Sequence, residues 1–294
     1  MNEQGWLVEQ FEGHRTRLRA VAYQMLGSVS EADNAVQEAW LRLSRSGASG
    51  VDDLGAWLTT VVARVCLNVL QSRRLRREES LDAHLPDPIV SRGDGPDPEH
   101  EVLLADSVGL ALLVVLDTLT PGERIAFVLH DMFDVPFHDI APIVGCSPVA
   151  ARQLASRARR RVRGAAPVPE PDLSRQWEVV DAFLAASRDG DFNSLLSVLD
   201  PDVILRADRG AGPPGVSTEV RGARAVADGA LAFSDLARFA RPALVNGTAG
   251  LVAAPHGRPF SVLAFTVTHG KIVEINILAD PARLRQIDLG VLDD

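Results

Sequence analysis

Apolar residues in the first third of the chain recur at three- and four-residue spacing. Leu7, Phe11, Leu18, Val21, Ala22, Met25 and Leu26 form one stripe, the periodicity of an amphipathic helix. Gly27 ends it, and Ser30 with Asp33 three residues on reads as a capping box for the next helix. That helix turns Val36, Ala39, Trp40 and Leu43 inward and stops in Ser46-Gly47-Ala48-Ser49-Gly50. A third helix begins near Asp53 and runs through Leu54, Trp57, Leu58, Val61, Val62, Val65, Val69 and Leu70 into an arginine cluster. Trp57 keeps helical spacing with Leu54 and Val61 and so reads as core.

Residues 81–99, rich in proline and acid, break the pattern and read as a linker. Helical periodicity resumes at His100 and persists to Arg163; residues 165–173, with Pro167, Pro169 and Pro171, read as a second linker. Gln176 to Ala186 and Phe192 to Leu199 then suggest two helices. Strands follow at Val203–Leu205, Ala243–Val245, Gly250–Ala253, Phe260–Thr268 and Lys271–Leu278, with turns at Gly257 and Gly270. The expected fold is multidomain: two all-α modules, 1–80 and 100–164, then an α+β domain over 174–294 with an antiparallel sheet.

The chemistry is concentrated between Leu119 and Arg163. Thr120-Pro121-Gly122-Glu123 is a helix start, with threonine as cap, proline at the first position and glutamate reaching back. Pro136 opens a second short helix with Phe137, Ile140, Ile143 and Val144 inward. Gly145-Cys146-Ser147 makes a tight turn, and Ser147 and Pro148 start a last helix. Two short helices joined by a glycine turn, the second rich in arginine, form a helix-turn-helix. Ala150 and Ala151 permit close packing, while Arg152, Gln153, Ser156 and Arg157 lie on the opposite stripe, where side chains reach base edges. Arg159 to Arg163 suit the phosphate backbone; the competing reading is a solvated basic face.

Net charge is −9, which argues against a wholly nucleic-acid-coating surface, but two arginine clusters, 73–77 and 152–163, supply local patches. No run of about 18 uncharged apolar residues occurs, so no membrane span is expected. Nor does the N-terminus have a basic leader. Cys66 and Cys146 read as buried, reduced thiols of a cytoplasmic protein. No cofactor or metal is implied.

The stretch Leu119-Thr-Pro-Gly-Glu-Arg through Gly-Cys-Ser, Arg-Gln and Ser-Arg-Ala-Arg resembles region 4 of the extracytoplasmic-function sigma factors, the module that reads the −35 promoter element. Glu31-Ala-Asp-Asn-Ala-Val-Gln-Glu-Ala-Trp-Leu-Arg-Leu resembles region 2.2, and Ala56-Trp57-Leu58 through Arg64, Asn68 and Arg73-Arg74 resembles regions 2.3 and 2.4. The resemblance implies core RNA polymerase as partner for Asp33, Gln37, Glu38 and Arg42. It implies melted −10 DNA for Arg64, Asn68, Arg73 and Arg74, with a flipped base held by the loop Ser44 to Asp52. Duplex −35 DNA falls to Ser147, Arg152, Gln153, Ser156, Arg157 and Arg160.

Gln176-Trp-Glu-Val-Val-Asp-Ala-Phe through Gly-Asp-Phe resembles the opening of the NTF2-like, SnoaL-like fold with its curved sheet. The whole chain is similar to the sigma subgroup carrying that domain at its C-terminus, where it is expected to regulate the factor. Three further stretches resemble that subgroup's motifs: His84-Leu85-Pro86-Asp87-Pro88, the segment at Asp208, and Asp280-Pro281-Ala282-Arg283-Leu284. They imply regulatory contacts. Two alternatives stay open: a helix-turn-helix regulator that works without polymerase, and an enzyme using the NTF2-like cavity. For the latter, Asp181, Asp202, Asp208 and His256 are candidates, although no two stand at the spacing of an acid–base pair. A structural and regulatory domain, rather than an enzyme, is the expectation.

Overall fold

The computed structural model describes residues 3–47, 51–77, 85–91, 109–165, 167, 169–210, 218–287 and 289. Its helices follow the apolar periodicity. Helix α1 (Glu3–Leu26) ends at Gly27, whose φ of 66° is left-handed. Because Ser28 is already extended, α2 (Val29–Ser46) begins at once. Its cap is Ser28, accepting from the Glu31 N–H, rather than the expected Ser30–Asp33 pair. Asp53 caps α3 (Leu54–Arg77), its carboxylate accepting from the Ala56 N–H at 2.9 Å. By length and composition α3 is apolar enough to cross a bilayer; instead Leu58, Val62 and Cys66 are buried against α1 and α2, and Arg64 interrupts its outer face. Trp57 is half-buried, less enclosed than a core residue.

After α4 (Leu110–Leu116) comes the helix-turn-helix: α5 (Pro121–Phe127), a π-helical turn (Val128–Met132), α6 (Phe137–Val144) and α7 (Pro148–Ala165). The expected caps are present. Thr120 and Glu123 complete a capping box, Ser147 accepts from the Ala150 N–H at 3.2 Å, and Gly145 takes a left-handed φ of 75° at the end of α6.

The chain divides into two compact units. The first combines α1–α3 with residues 115–165. Within it Arg17 donates to the Phe133 carbonyl, and Arg124, only 1% exposed, donates to Asp117 at 2.6 Å and to the Gln24 carbonyl.

The second unit is α+β. Helices α8 (Leu173–Asp189) and α9 (Phe192–Val198) lead into β2 (Leu199–Asp208), β3 (Thr218–Arg221), α10 (Ala223–Ala232) and α11 (Ser234–Ala237). Then come β4 (Ala240–Val245), β5 (Thr248–Ala253), β6 (Ser261–Thr268), β7 (Lys271–Leu278) and α12 (Pro281–Leu284). Val180, Phe183 and Leu195 of the helices pack on Leu251, Phe265, Val267 and Ile275 of the sheet. Asn246-Gly247 and His269-Gly270, all left-handed, close the β4–β5 and β6–β7 hairpins.

Two features depart from expectation. The sheet, in the order β1 (Val90–Ser91), β4, β5, β6, β7, β2, β3, is mixed rather than antiparallel, because β2 and β7 run parallel. These strands meet only after the whole β4–β6 meander, so no hairpin fixes their direction. Secondly, part of the first expected linker is folded: Val90–Ser91 forms β1, an edge strand antiparallel to β4.

Candidate nucleic-acid interface and linker clasp

Helix α7 separates small residues from long ones. Ala151, Ala155 and Ala158 are fully buried against the rest of the helix-turn-helix, and small side chains there let the helices approach closely. Ser147, Arg152, Gln153, Ser156, Arg157 and Arg160 are all exposed. Their spacing puts the helical ones on a continuous outward face. That face is already ordered at two points. The Arg152 guanidinium lies over the Phe137 ring, 5.4 Å from its centroid. Arg157 donates from Nε to Glu123 at 3.1 Å.

Not every arginine of the run is outward-facing in the sense expected. Arg159 makes two hydrogen bonds of 2.6 and 2.7 Å to Asp131 in the π-turn, and Arg161 donates to Glu123 at 3.1 Å. Glu123 is itself 3% exposed. Burial alone would raise its pKa, but hydrogen bonds from the Thr120 backbone and hydroxyl, with Arg161 and Arg157 beside it, hold it below the usual value. Its cap role was readable locally; its contact with α7 joins residues 34 and 38 apart and leaves no local signal.

In the first unit, Asp33 and Gln37 are exposed and Glu38 and Arg42 half-buried on α2, with Asp33 and Arg42 half a turn apart. Asp33 is held bidentate by Arg19, and Arg42 by Glu38 at 3.0 Å. On α3, Arg64, Asn68 and Arg74 are exposed, but Arg73 is not part of their face. Nine residues from Arg64 is half a turn around the helix. There Arg73 donates to the Leu26 carbonyl at 2.7 Å and to Glu31, closing the α1–α2 corner. Of the expected flipped-base loop, residues 48–50 lie outside the described residues.

The three stretches far apart in sequence meet in the second unit. Arg283 donates to Asp208 and to the Leu85 carbonyl, each at 2.6 Å, and to Asp87 through Nε at 2.8 Å. Asp208, 6% exposed, accepts from the Leu85 N–H at 3.0 Å and the Gly210 N–H at 3.0 Å. Asp280 caps α12, and Pro281 at its first turn is exposed. A Cβ on Gly210 would stand 2.6 Å from Asp280 Cγ, so glycine is required there. Leu85, Pro86 and Pro88 are buried. The chain is also pinned at Ile89, which exchanges hydrogen bonds with Asn246. His84 lies outside the described residues.

The structure does not gather the groups considered for catalysis: Asp181, Asp202 and His256 are exposed, and Asp208 is committed to the clasp. A buried polar group that sequence reasoning missed is Glu274, which accepts from Arg206 at 2.6 Å and from Asn276 at 2.8 Å. Cys66 is buried as expected, whereas Cys146 sits half-buried in the helix-turn-helix turn.

The model of Sigma-70 region 2 matches residues 10–77, and that of Sigma-70, region 4 matches residues 109–162. The ECF RNA polymerase sigma factor SigJ of Mycobacterium tuberculosis is 39% identical over 288 residues, covering 93% of this chain and 92% of SigJ. The probable ECF sigma factor SigI of the same organism is 35% identical over 93% of each chain. The crystal structure of SigJ superposes with a TM-score of 0.78, covering 96% of this chain and 99% of that one at 35% identity. With likeness to SigJ over more than nine-tenths of both chains, and with an α+β domain following the two sigma regions, this chain belongs to the extracytoplasmic-function sigma factors of RNA polymerase.

Proposed function

We propose that this sigma factor grips its promoter at two places and that its C-terminal domain modulates the grip through the clasped linker. Core polymerase docks on α2 through Asp33, Gln37, Glu38 and Arg42. Arg64, Asn68 and Arg74 of α3 hold the melted −10 strand, with Arg73 fixing the bundle rather than touching DNA. Helix α7 enters the major groove of the −35 duplex, where Arg152, Gln153, Ser156 and Arg157 face base edges and Ser147 and Arg160 meet phosphates. The modules for these contacts are residues 1–80, 100–164 and 174–294.

The observation that carries this reading is the division of α7: a buried alanine ridge behind and an unbroken row of polar, mostly arginine side chains in front. In-vitro transcription with core polymerase tests it. Arg152→Ala is expected to relax discrimination at the −35 base positions it faces while leaving co-purification with core enzyme intact. Unchanged −35 preference in that variant would show that the assigned face of α7 is wrong.

A further inference from the structure

We infer that Glu123 is a positioning residue for promoter recognition: from the start of α5 it holds Arg157 in the orientation that reads DNA. The inference rests on the assignment of α7 as the −35 helix.

Glu123 Oε2 accepts from the Thr120 N–H at 3.1 Å, the Thr120 hydroxyl at 2.9 Å and Arg161 Nη1 at 3.1 Å. Oε1 accepts from Arg157 Nε at 3.1 Å. The carboxylate is thus locked by its own helix cap before it meets the arginines. Its side chain is 4% exposed while that of Arg157 is 51% exposed, so the anchor is buried and the reader protrudes. Glu123 takes only Nε of Arg157, which leaves both Nη groups to face a guanine O6/N7 edge in the major groove. An arginine held before binding has less rotamer freedom to lose on binding. The same negative charge lies close to Arg157 and Arg161 and weakens their pull on phosphates wherever the base is wrong. Fixing the fork and tempering the charge both favour specific over non-specific binding.

Glu123→Gln separates this role from a merely structural one. Glutamine still serves in a capping box, but it lacks the charge that fixes two guanidinium groups. Full-length protein assembled with core polymerase is used to select duplexes randomised across the −35 region, alongside Arg157→Ala and Arg152→Ala. The expected result is a loss of about two- to tenfold in discrimination, the cost of freeing one rotamer-rich side chain. That loss falls at the base positions that Arg157→Ala affects and spares those that Arg152→Ala affects. Affinity for unrelated duplex stays equal or rises. A selected sequence identical to that of the unaltered protein would overturn the proposal. So would a uniform loss at all positions with weaker non-specific binding and a lower Tm, which marks a folding defect. If the unaltered protein selects no −35 sequence, or neither arginine change alters it, the assignment of α7 fails and the role of Glu123 fails with it.

Discussion

Cys66 shows how the bundle treats a single reactive group. It is fully buried on α3, and burial pushes its thiol up to about 12, outweighing the lowering influence of Arg124 and Arg73. Thiolate is the nucleophile, so the native side chain is inert at neutral pH. Cys146 is half-buried in a turn and has no such enclosure. A disulfide-exchange reagent at pH 8 is therefore expected to titrate one thiol in the folded protein and two in denaturant. Rapid reaction of both would contradict the packing of α3. The pH consequence has a definite sign. The folded pKa lies above the unfolded value near 8.5, so ionisation of this thiol leaves stability unaffected below about pH 8.5. Between there and about 12, stability falls by roughly 1.4 kcal/mol per pH unit, because the unfolded chain releases the proton first. Equilibrium urea unfolding between pH 7 and 10 reads this directly.

Among the elements, the helices of the first unit and α8 and α9 were legible because their signals are local, whereas α10 and α11 were not read from the sequence. Apolar stripes, Thr120 with Glu123, Ser147 and the left-handed Gly145 each act within a few residues of the boundary they set. The sheet was less legible for the opposite reason. Strand β3 is four residues long and polar, Thr-Glu-Val-Arg, and β1 is two residues inside a proline-rich stretch. Neither has an alternation long enough to register. The β2–β7 parallel pairing depends on partners brought together by the rest of the domain. The interface divides in the same way: the exposed row on α7 could be read from spacing, whereas Glu123 beneath it could not. Close packing behind α7 gives the test at this scale. Ala155 is fully buried on α7, which packs on both α5 and α6. Ala155→Leu adds three carbons to a site without room for them, a change that costs typically 1–3 kcal/mol. It is expected to lower the Tm by several degrees and to weaken −35 binding although no DNA-facing residue is altered. A variant with unchanged Tm would mean that the helix-turn-helix is packed more loosely than described.

At the scale of the whole molecule, the consequential feature is where residues 85–91 reside. In sequence they lie between the two DNA-reading modules, yet β1 is an edge strand of the C-terminal sheet and Arg283 clasps Leu85 and Asp87. Deleting the chain after Ala165 thus removes the C-terminal domain and also frees this segment, so truncation alone confounds two effects. Arg283→Ala separates them. It removes the Arg283 ion pairs to Asp208 and Asp87 while leaving the β6–β7 hairpin and the helical core of the domain intact. Breaking a buried pair by removing one partner costs about 3–5 kcal/mol; with the Arg283 side chain 19% exposed, the lower end applies. The strand itself is only two residues long, so with this anchor lost, local opening of the segment is expected before global unfolding. Hydrogen exchange should accelerate at the Leu85 and Ile89 amides, both hydrogen-bonded in the clasped state, and remain slow across β6 and β7. If the linker carries the regulation, promoter output of Arg283→Ala holoenzyme shifts in the same direction as that of the truncated factor. If exchange at Leu85 and Ile89 rises while output stays at the unaltered level and truncation still changes it, control does not run through the clasp.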